Sequence, residues 1–213
     1  MKIGLITAME SEYKRFIPLQ KESSLKDKTI VLHQCGIGKV NAAMNAFDFI
    51  VKQHPDIVIS TGVAGGCSDE LNITDTVFAQ SVCYHDVWCG QPNALGQIQG
   101  MPDKYCAPKE VLNKIKAENF PNVHFGLTVS GDWFVDSADK MREIKKSFPD
   151  AMAVDMESAA IAQVCYTMNV PFVSLRVISD IPLKENNYQQ YKDFWNVIAD
   201  NSFDTAKKVI LSL

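Results

Sequence analysis

Long apolar runs are missing from this chain: none approaches the roughly 18 residues that a membrane span needs. The N-terminus, MKIGLITAM, passes from one Lys through a short apolar stretch into Glu10, Glu12 and Lys14, with no signal-peptide core or cleavage site. Blocks of like charge are missing too. Against 21 Lys plus Arg stand 25 Asp plus Glu, a formal net charge of −4, and no basic tract could follow a phosphate backbone, which argues against nucleic acid as a partner. The six cysteines, at 35, 67, 83, 89, 106 and 165, contain no C-x-x-C pair and have no histidine spaced to complete a zinc site. They read as reduced, mostly buried small hydrophobes. Neither the phosphate-binding G-x-x-x-x-G-K-[ST] nor the dinucleotide G-x-G-x-x-G pattern occurs, so no nucleotide cofactor and no metal is expected. Arginine is scarce, with only Arg15, Arg142 and Arg176. A cytoplasmic, soluble chain is expected.

What is present is ordinary globular composition, 46% apolar and 22% charged over 213 residues. A chain of this size buries roughly 70% of its unfolded surface and needs neither disulfides nor a structural metal. No linker or composition break divides it, so residues 1–213 read as a single domain.

Short apolar runs alternate with helical patterns. Lys2 to Thr7 reads as a strand that breaks at Ala8-Met9 into a helix from Glu10 to Phe16. Thr29 to Gln34 is a second strand. It ends in Cys35-Gly36-Ile37-Gly38, after which Val40, Ala43, Met44, Phe47 and Val51 recur with the spacing of one helix face. Asp56 to Ser60 is an apolar run of the kind buried on both faces of a parallel sheet, and it enters Thr61-Gly62-Val63-Ala64-Gly65-Gly66. Strands are expected at Asp75 to Tyr84, Val123 to Ser130, Met152 to Val154 and Pro171 to Ile178. Helices are expected at Ala138 to Phe148 and Met156 to Tyr166, with a closing helix that carries Tyr191, Phe194, Trp195 and Ile198 on one face. The loop from His85 to about Tyr105 is long enough to be functional or packed on a partner. Alternation of this kind specifies a layered α/β domain.

Ligands in such folds collect beyond the carboxyl ends of strands, and three of those positions carry acids: Glu12, Glu157 and Asp180. Each alone is equally a cap or a solvated charge; three together point to proton-transfer chemistry. The two glycine clusters let the backbone approach a ligand, although tight turns explain them as well. Trp133 and Phe134 follow a strand, where a ring could stack on a purine or pack in the core. His85, beside Asp86, reads as a hydrogen-bonded structural histidine, since no Ser or Cys stands in a nucleophile elbow.

Taken in order, Ala8-Met9-Glu10-Ser11-Glu12, Cys35-Gly-Ile-Gly-Lys39-Val40, Thr61-Gly-Val-Ala-Gly-Gly66, Ser130-Gly-Asp132-Trp-Phe134, Val154-Asp-Met-Glu157-Ser-Ala-Ala160 and Arg176-Val-Ile-Ser-Asp180 resemble the 5′-methylthioadenosine/S-adenosylhomocysteine nucleosidases of the nucleoside phosphorylase superfamily. The resemblance spans nearly the whole chain. It implies a three-layer sandwich, a mixed central β-sheet flanked by helices, and hydrolysis of an N-glycosidic bond to release adenine and a 5-thioribose. By matching motif, Glu12 would activate water and Asp180 would protonate adenine N7, while Glu157 would hold the ribose hydroxyls. Met156 would lie under the sugar, Phe134 would stack on the base, and the Val135 backbone would read the adenine edge. Met9 and Tyr191 would line the 5′ substituent, and Gly62, Val63, Asp155 and Ser179 complete the substrate-binding positions. Asp155 stands where the family usually has Glu, and Val63 where a Ser is frequent. A homodimer is implied, with loop 85–105 at the partner's site.

The residue chemistry agrees with these roles. Breaking an N-glycosidic bond creates an oxocarbenium-like sugar and a poor anionic leaving group, so an acid and a water-activating base are the two tasks. An acid at the end of an apolar strand is in surroundings that disfavour its charged form. Three alternatives share the acids or the fold: a hydrolase of aminodeoxyfutalosine or AMP, a purine nucleoside phosphorylase, and a catalytically silent nucleoside sensor. The phosphorylase would require several arginines around phosphate.

Overall fold

The computed structural model describes residues 1–23, 28–184, 187–198 and 202–213. Strand β1 (Lys2–Thr7) turns at Ala8-Met9 into helix α1 (Glu10–Ser23), and β2 (Thr29–Gln34) turns through the Gly-Ile-Gly segment into α2 (Lys39–Gln53). Two long strands follow, β3 (Ile57–Gly66) and β4 (Thr76–Tyr84), then the short β5 (Tyr105–Cys106) and helix α3 (Lys109–Glu118). Next come β6 (Val123–Ser130), α4 (Ala138–Ser147), β7 (Ala151–Asp155), α5 (Ser158–Thr167) and β8 (Phe172–Asp180). The chain closes with α6 (Asn187–Asp193), a π-helical turn at Phe194–Ile198, and α7 (Asp204–Ser212). Helix α1 runs well past the expected Phe16, through Pro18, because Phe16 and Leu19 are both fully buried and anchor the turn.

The sheet has eight strands and is mixed. β3 lies parallel to β1 on one side and to β8 on the other; β8 then meets β4 antiparallel, and β4 and β7 both lie parallel to β6. Near its end β3 bulges between Ala64 and Gly65 and pairs antiparallel with β7, Gly65 opposite Val154 and Gly66 opposite Ala153. The strands β3, β8, β4, β6 and β7 therefore close on themselves. A bulge bends and re-aims its strand, and here it sets the ends of β7 and β8 on either side of β3.

Two apolar layers cover the sheet. On one face Ile3, Leu5 and Ile59 pack with Phe16, Phe194, Phe203 and Val209 from the helices. On the other, Ile6 and Val58 pack with Ala42, Ala46, Phe49 and Ile50 of α2 and with Ala159 to Ala162 and Cys165 of α5. Every residue of β8 is buried, as expected of a strand covered on both sides.

The orientation of α2 corrects the sequence expectation. Val40, Met44, Phe47 and Val51, read as its core face, are 69%, 66%, 53% and 45% exposed. The helix instead buries Ala42, Ala46, Phe49 and Ile50. It carries two apolar stripes, and the one with small residues packs against the alanine-rich α5. In the long connection after β4, Gly96 N–H bonds Val87 O at 2.9 Å and Met101 N–H bonds Ile98 O at 2.9 Å. Val87, Ile98 and Met101 tuck against the core while Trp88 and Leu95 stay exposed. Phe194 is fully buried and Trp195 packs beside it; the side chain of Ile198 lies outside the described residues.

Candidate active site

The ends of β1, β3, β6, β7 and β8 surround one pocket, about 610 Å³ including its open mouth, within the usual size for a small-molecule site. Its walls are mostly apolar, and Glu12, Glu157 and Asp180 all reach it.

Glu12 stands in the first turn of α1 and is 2% exposed. One carboxylate oxygen accepts the N–H groups of Ala8 at 3.0 Å and Met9 at 2.9 Å. This is the reach-back of a capping-box glutamate. The other oxygen accepts the Val63 N–H at 2.8 Å, a bond across 51 residues of chain that helix capping does not require. Gly62, beside it, has φ +146°, and a Cβ there would stand 2.3 Å from the carboxylate. The position is restricted to glycine by Glu12 itself. Burial raises the Glu12 pKa, opposed by the Arg176 charge and by the three amides.

Glu157 begins α5, and one of its oxygens accepts the Gly38 N–H at 2.9 Å. Burial first and the Asp155 charge second push its carboxyl up to about 7, against the pull of Arg176 and the Gly38 N–H. Asp180 ends β8, 3% exposed, and accepts the Ser179 hydroxyl at 2.7 Å.

Asp155 is placed differently from what its sequence position suggests. It reaches the pocket wall, but its oxygens are engaged beneath it: Oδ2 by Arg176 Nε at 2.6 Å and by the Ser158 hydroxyl, Oδ1 by the Ser130 hydroxyl and the Ser158 N–H at 3.2 Å. Arg176 is 2% exposed and also donates to Ser60 Oγ at 2.7 Å and Ser158 Oγ at 2.9 Å. Burial works against the Asp155 anion, yet Arg176 and the two hydroxyls hold its carboxyl below the ordinary value. Removed from water, such a pair stands only because its remaining bonds are satisfied.

The remaining walls are mostly apolar. Met9, Val63, Val135, Met156 and Ser179 line the pocket with the rings of Phe134 and Tyr191, which meet edge to face with centroids 5.3 Å apart. The Tyr191 hydroxyl lies 3.8 Å from Met9 Sδ. Gly62, expected at the substrate, is not on the wall; it supports Glu12 from behind. Trp133, one of the two rings expected after β6, lines the pocket as well, and so do Ile37 and the Ala64-Gly65 bulge, which carry no expected role of their own. Ile37 sits between two positive-φ glycines, and that was its available signal. His85 lies off the pocket. Its N–H bonds Ser130 O at 2.8 Å and its ring packs on Gly131. Its Nε2 is buried without a hydrogen-bond partner among the described residues, where a hydrogen-bonded ring is expected, and burial lowers its pKa. Among the described residues no lysine or arginine lines the pocket, and no cluster of His, Cys, Asp and Glu is arranged to hold a metal ion.

Residues 2–211 match the family model of the phosphorylase superfamily. The chain belongs to the phosphorylase superfamily. Among curated members it is 37% identical to the 5′-methylthioadenosine/S-adenosylhomocysteine nucleosidase of Staphylococcus aureus, over 99% of this chain and 100% of the relative. Among solved superfamily structures, the nucleosidase of that name from Neisseria meningitidis, in complex with methylthio-immucillin-A, superposes with a TM-score of 0.88 at 33% identity. That match covers 100% of this chain and 99% of the other. A futalosine hydrolase mutant from Helicobacter pylori gives a TM-score of 0.85 at 25% identity over 100% of both chains.

Proposed function

We propose that this chain is an N-glycosyl hydrolase that cleaves 5′-methylthioadenosine and S-adenosylhomocysteine to adenine and a 5-thioribose. The observation that carries the reading is the meeting of Glu12, Glu157 and Asp180 in one mostly apolar pocket that, among the described residues, no lysine or arginine lines. Phosphate as nucleophile would need cationic donors there; water does not. The full-length likeness to nucleosidases that bear this name supports the substrate class.

In this mechanism adenine leaves with a proton from Asp180 on N7 as the C1′–N9 bond breaks. Water on the opposite side loses a proton to Glu12 and bonds C1′. Three backbone amides aim the Glu12 carboxylate without neutralising it. Glu157 accepts the ribose hydroxyls, Met156 lies under the sugar, Phe134 stacks on the base and the Val135 backbone reads its edge. Met9 and Tyr191 face the 5′ thioether; the sulfur-to-hydroxyl contact between them marks a wall suited to a soft, apolar substituent. Asp155 acts through Arg176, fixing the loop from which Glu157 projects.

The working unit is a homodimer in this reading. Val40, Met44, Phe47 and Val51 expose an apolar stripe along α2, Ile37 adds to it from the turn before the helix, and Trp88 and Leu95 expose more on loop 85–105, which would cover the partner's pocket. Among the described residues no helix is long and apolar enough to cross a membrane, and all six cysteines are free, in keeping with a reducing cytoplasm. A second reading, hydrolysis of a futalosine-type nucleoside, has the Helicobacter pylori likeness in its favour. Rates of adenine release from methylthioadenosine, S-adenosylhomocysteine, aminodeoxyfutalosine and AMP separate the two. The thioethers are expected to lead in kcat/KM; a lead by aminodeoxyfutalosine or AMP overturns the assignment.

A further inference from the structure

Outside the pocket, three loops that carry its walls meet in a compact charged cluster. Lys39, at the start of α2, extends its ammonium to Asp86 Oδ2 at 2.7 Å, with Asp132 Oδ2 farther off at 3.9 Å. The same Asp86 oxygen accepts the Asp132 N–H at 2.9 Å. Asp132 Oδ1 accepts the Lys39 N–H at 2.8 Å. The neighbouring amide, that of Gly38, is the one bonded to Glu157. Gly38 has φ +89°, and a Cβ there would come within 3.0 Å of Asp132 Oδ1, so the carboxylate lies directly against the turn. None of Lys39, Asp86 or Asp132 lines the pocket.

We propose that Lys39, Asp86 and Asp132 form a positioning clamp that locks the Gly36–Gly38 turn onto the 131–134 loop, holding the Gly38 amide on Glu157 and Phe134 over the base site at once. The inference rests on the nucleosidase reading of Glu157 and Phe134. A scattered set of surface charges would contribute little. These three differ because two of the four contacts end on backbone amides, so the pairing fixes chain and not merely side chains. Asp86 also opens loop 85–105, so the clamp ties the loop proposed to reach the partner to the site of its own subunit.

The chemistry of Glu157 makes the clamp readable. Its carboxylate faces Asp155 from β7, Arg176 from β8, Glu12 from α1 and the Cys35 thiol beyond β2, and among the described residues the Gly38 N–H is the neutral donor that favours its charged form. Loosening that amide therefore weakens ribose binding and moves the acid limb of kcat/KM to higher pH, while Asp180 and Glu12 keep their places.

Three variants test this: Asp132→Ala, which removes the acceptor for Lys39 N–H; Lys39→Met, which removes the ammonium; and Asp132→Asn, which keeps an amide oxygen in the acceptor's place. For methylthioadenosine the first two are expected to raise KM about tenfold, the scale of one hydrogen bond to a charged group. Their kcat should stay within about threefold, with the acid limb displaced upward, and Asp132→Asn should stay near the parent. Amide exchange by NMR reads the clamp without reference to any substrate: Gly38 N–H exchange should accelerate at least about tenfold in Asp132→Ala and Lys39→Met. Unchanged Gly38 exchange in the folded variants, or equal losses in Asp132→Ala and Asp132→Asn, would overturn the clamp. A parent protein that releases no adenine would instead overturn the nucleosidase reading, and the exchange data would still decide the clamp.

Discussion

Replacing Glu12 with Gln preserves shape and removes one charge. In the parent, one oxygen takes two amides, from Ala8 and Met9, and the other takes the Val63 amide at 2.8 Å. A carboxamide offers a single acceptor oxygen. If that oxygen keeps the first two donors, its NH2 group confronts the Val63 N–H, and a charge-assisted bond of roughly 1.5–3 kcal/mol is lost. Against this, the burial that raises the Glu12 pKa no longer acts on a charge. The two effects oppose each other, so the thermal midpoint should move by only a few degrees. Turnover has no such compensation. A carboxamide cannot take a proton from water, and a positioned base contributes about 10²–10⁴ in rate, or about 2.7–5.5 kcal/mol of barrier. The assay is initial adenine release from methylthioadenosine, paired with calorimetric binding of a non-hydrolysable thioether analogue. The expected result is kcat reduced by that factor with analogue affinity within about fivefold of the parent. A folded Glu12→Gln protein that turns over within about threefold of the parent would refute the base assignment.

Further perturbations probe other parts of the site. Asp155→Asn leaves Arg176 buried opposite a neutral group; losing one partner of such a pair costs about 3–5 kcal/mol, which lowers the melting midpoint by roughly 6–20 °C, and calorimetry showing no shift would deny the pair its structural role. Glu157 titrates near 7 when folded against an ordinary value of 4.5. Between those values the folded state holds a proton that the unfolded chain releases, so this group's contribution to stability falls as pH rises through that window. In the proposed role Glu157 holds the ribose hydroxyls as a carboxylate, so KM for methylthioadenosine should fall as pH rises through about 7, and a flat KM across that range would remove Glu157 from hydroxyl recognition. Phe47→Asp puts a charge on the exposed stripe of α2; sedimentation is expected to show a dimeric parent and a monomeric variant, and a monomeric parent would contradict the interface.

Much of this architecture is legible in short sequence windows because strand alternation and turn chemistry are local. The Ala8-Met9 break, the Gly-Ile-Gly lead into α2 and the acid ending β8 can each be read within a few residues. Helix α3 is not legible in the sequence because Val111, Leu112 and Ile115 make too brief an apolar pattern among charges, and only Ile115 of the helix is fully buried. The facing of α2 was not readable either. Both of its stripes are apolar, and only the alanines of α5, more than a hundred residues away, decide which one is buried. Long-range pairing likewise hid the role of Asp155. Arg176 inside the apolar run Phe172–Asp180 was the available signal, since an arginine on a fully covered strand must find a carboxylate. Sequence spacing brought the three acids to strand ends. The bulge in β3 and the closure of the sheet bring them to one pocket.

The most direct test of hydrolysis at this pocket is adenine release from methylthioadenosine by the purified protein, with and without added phosphate, identifying the sugar product in each case. Equal rates and free methylthioribose in both are predicted, because water is the proposed nucleophile and, among the described residues, no cationic side chain lines the pocket to hold phosphate. Phosphate-dependent release yielding a sugar 1-phosphate would contradict the account.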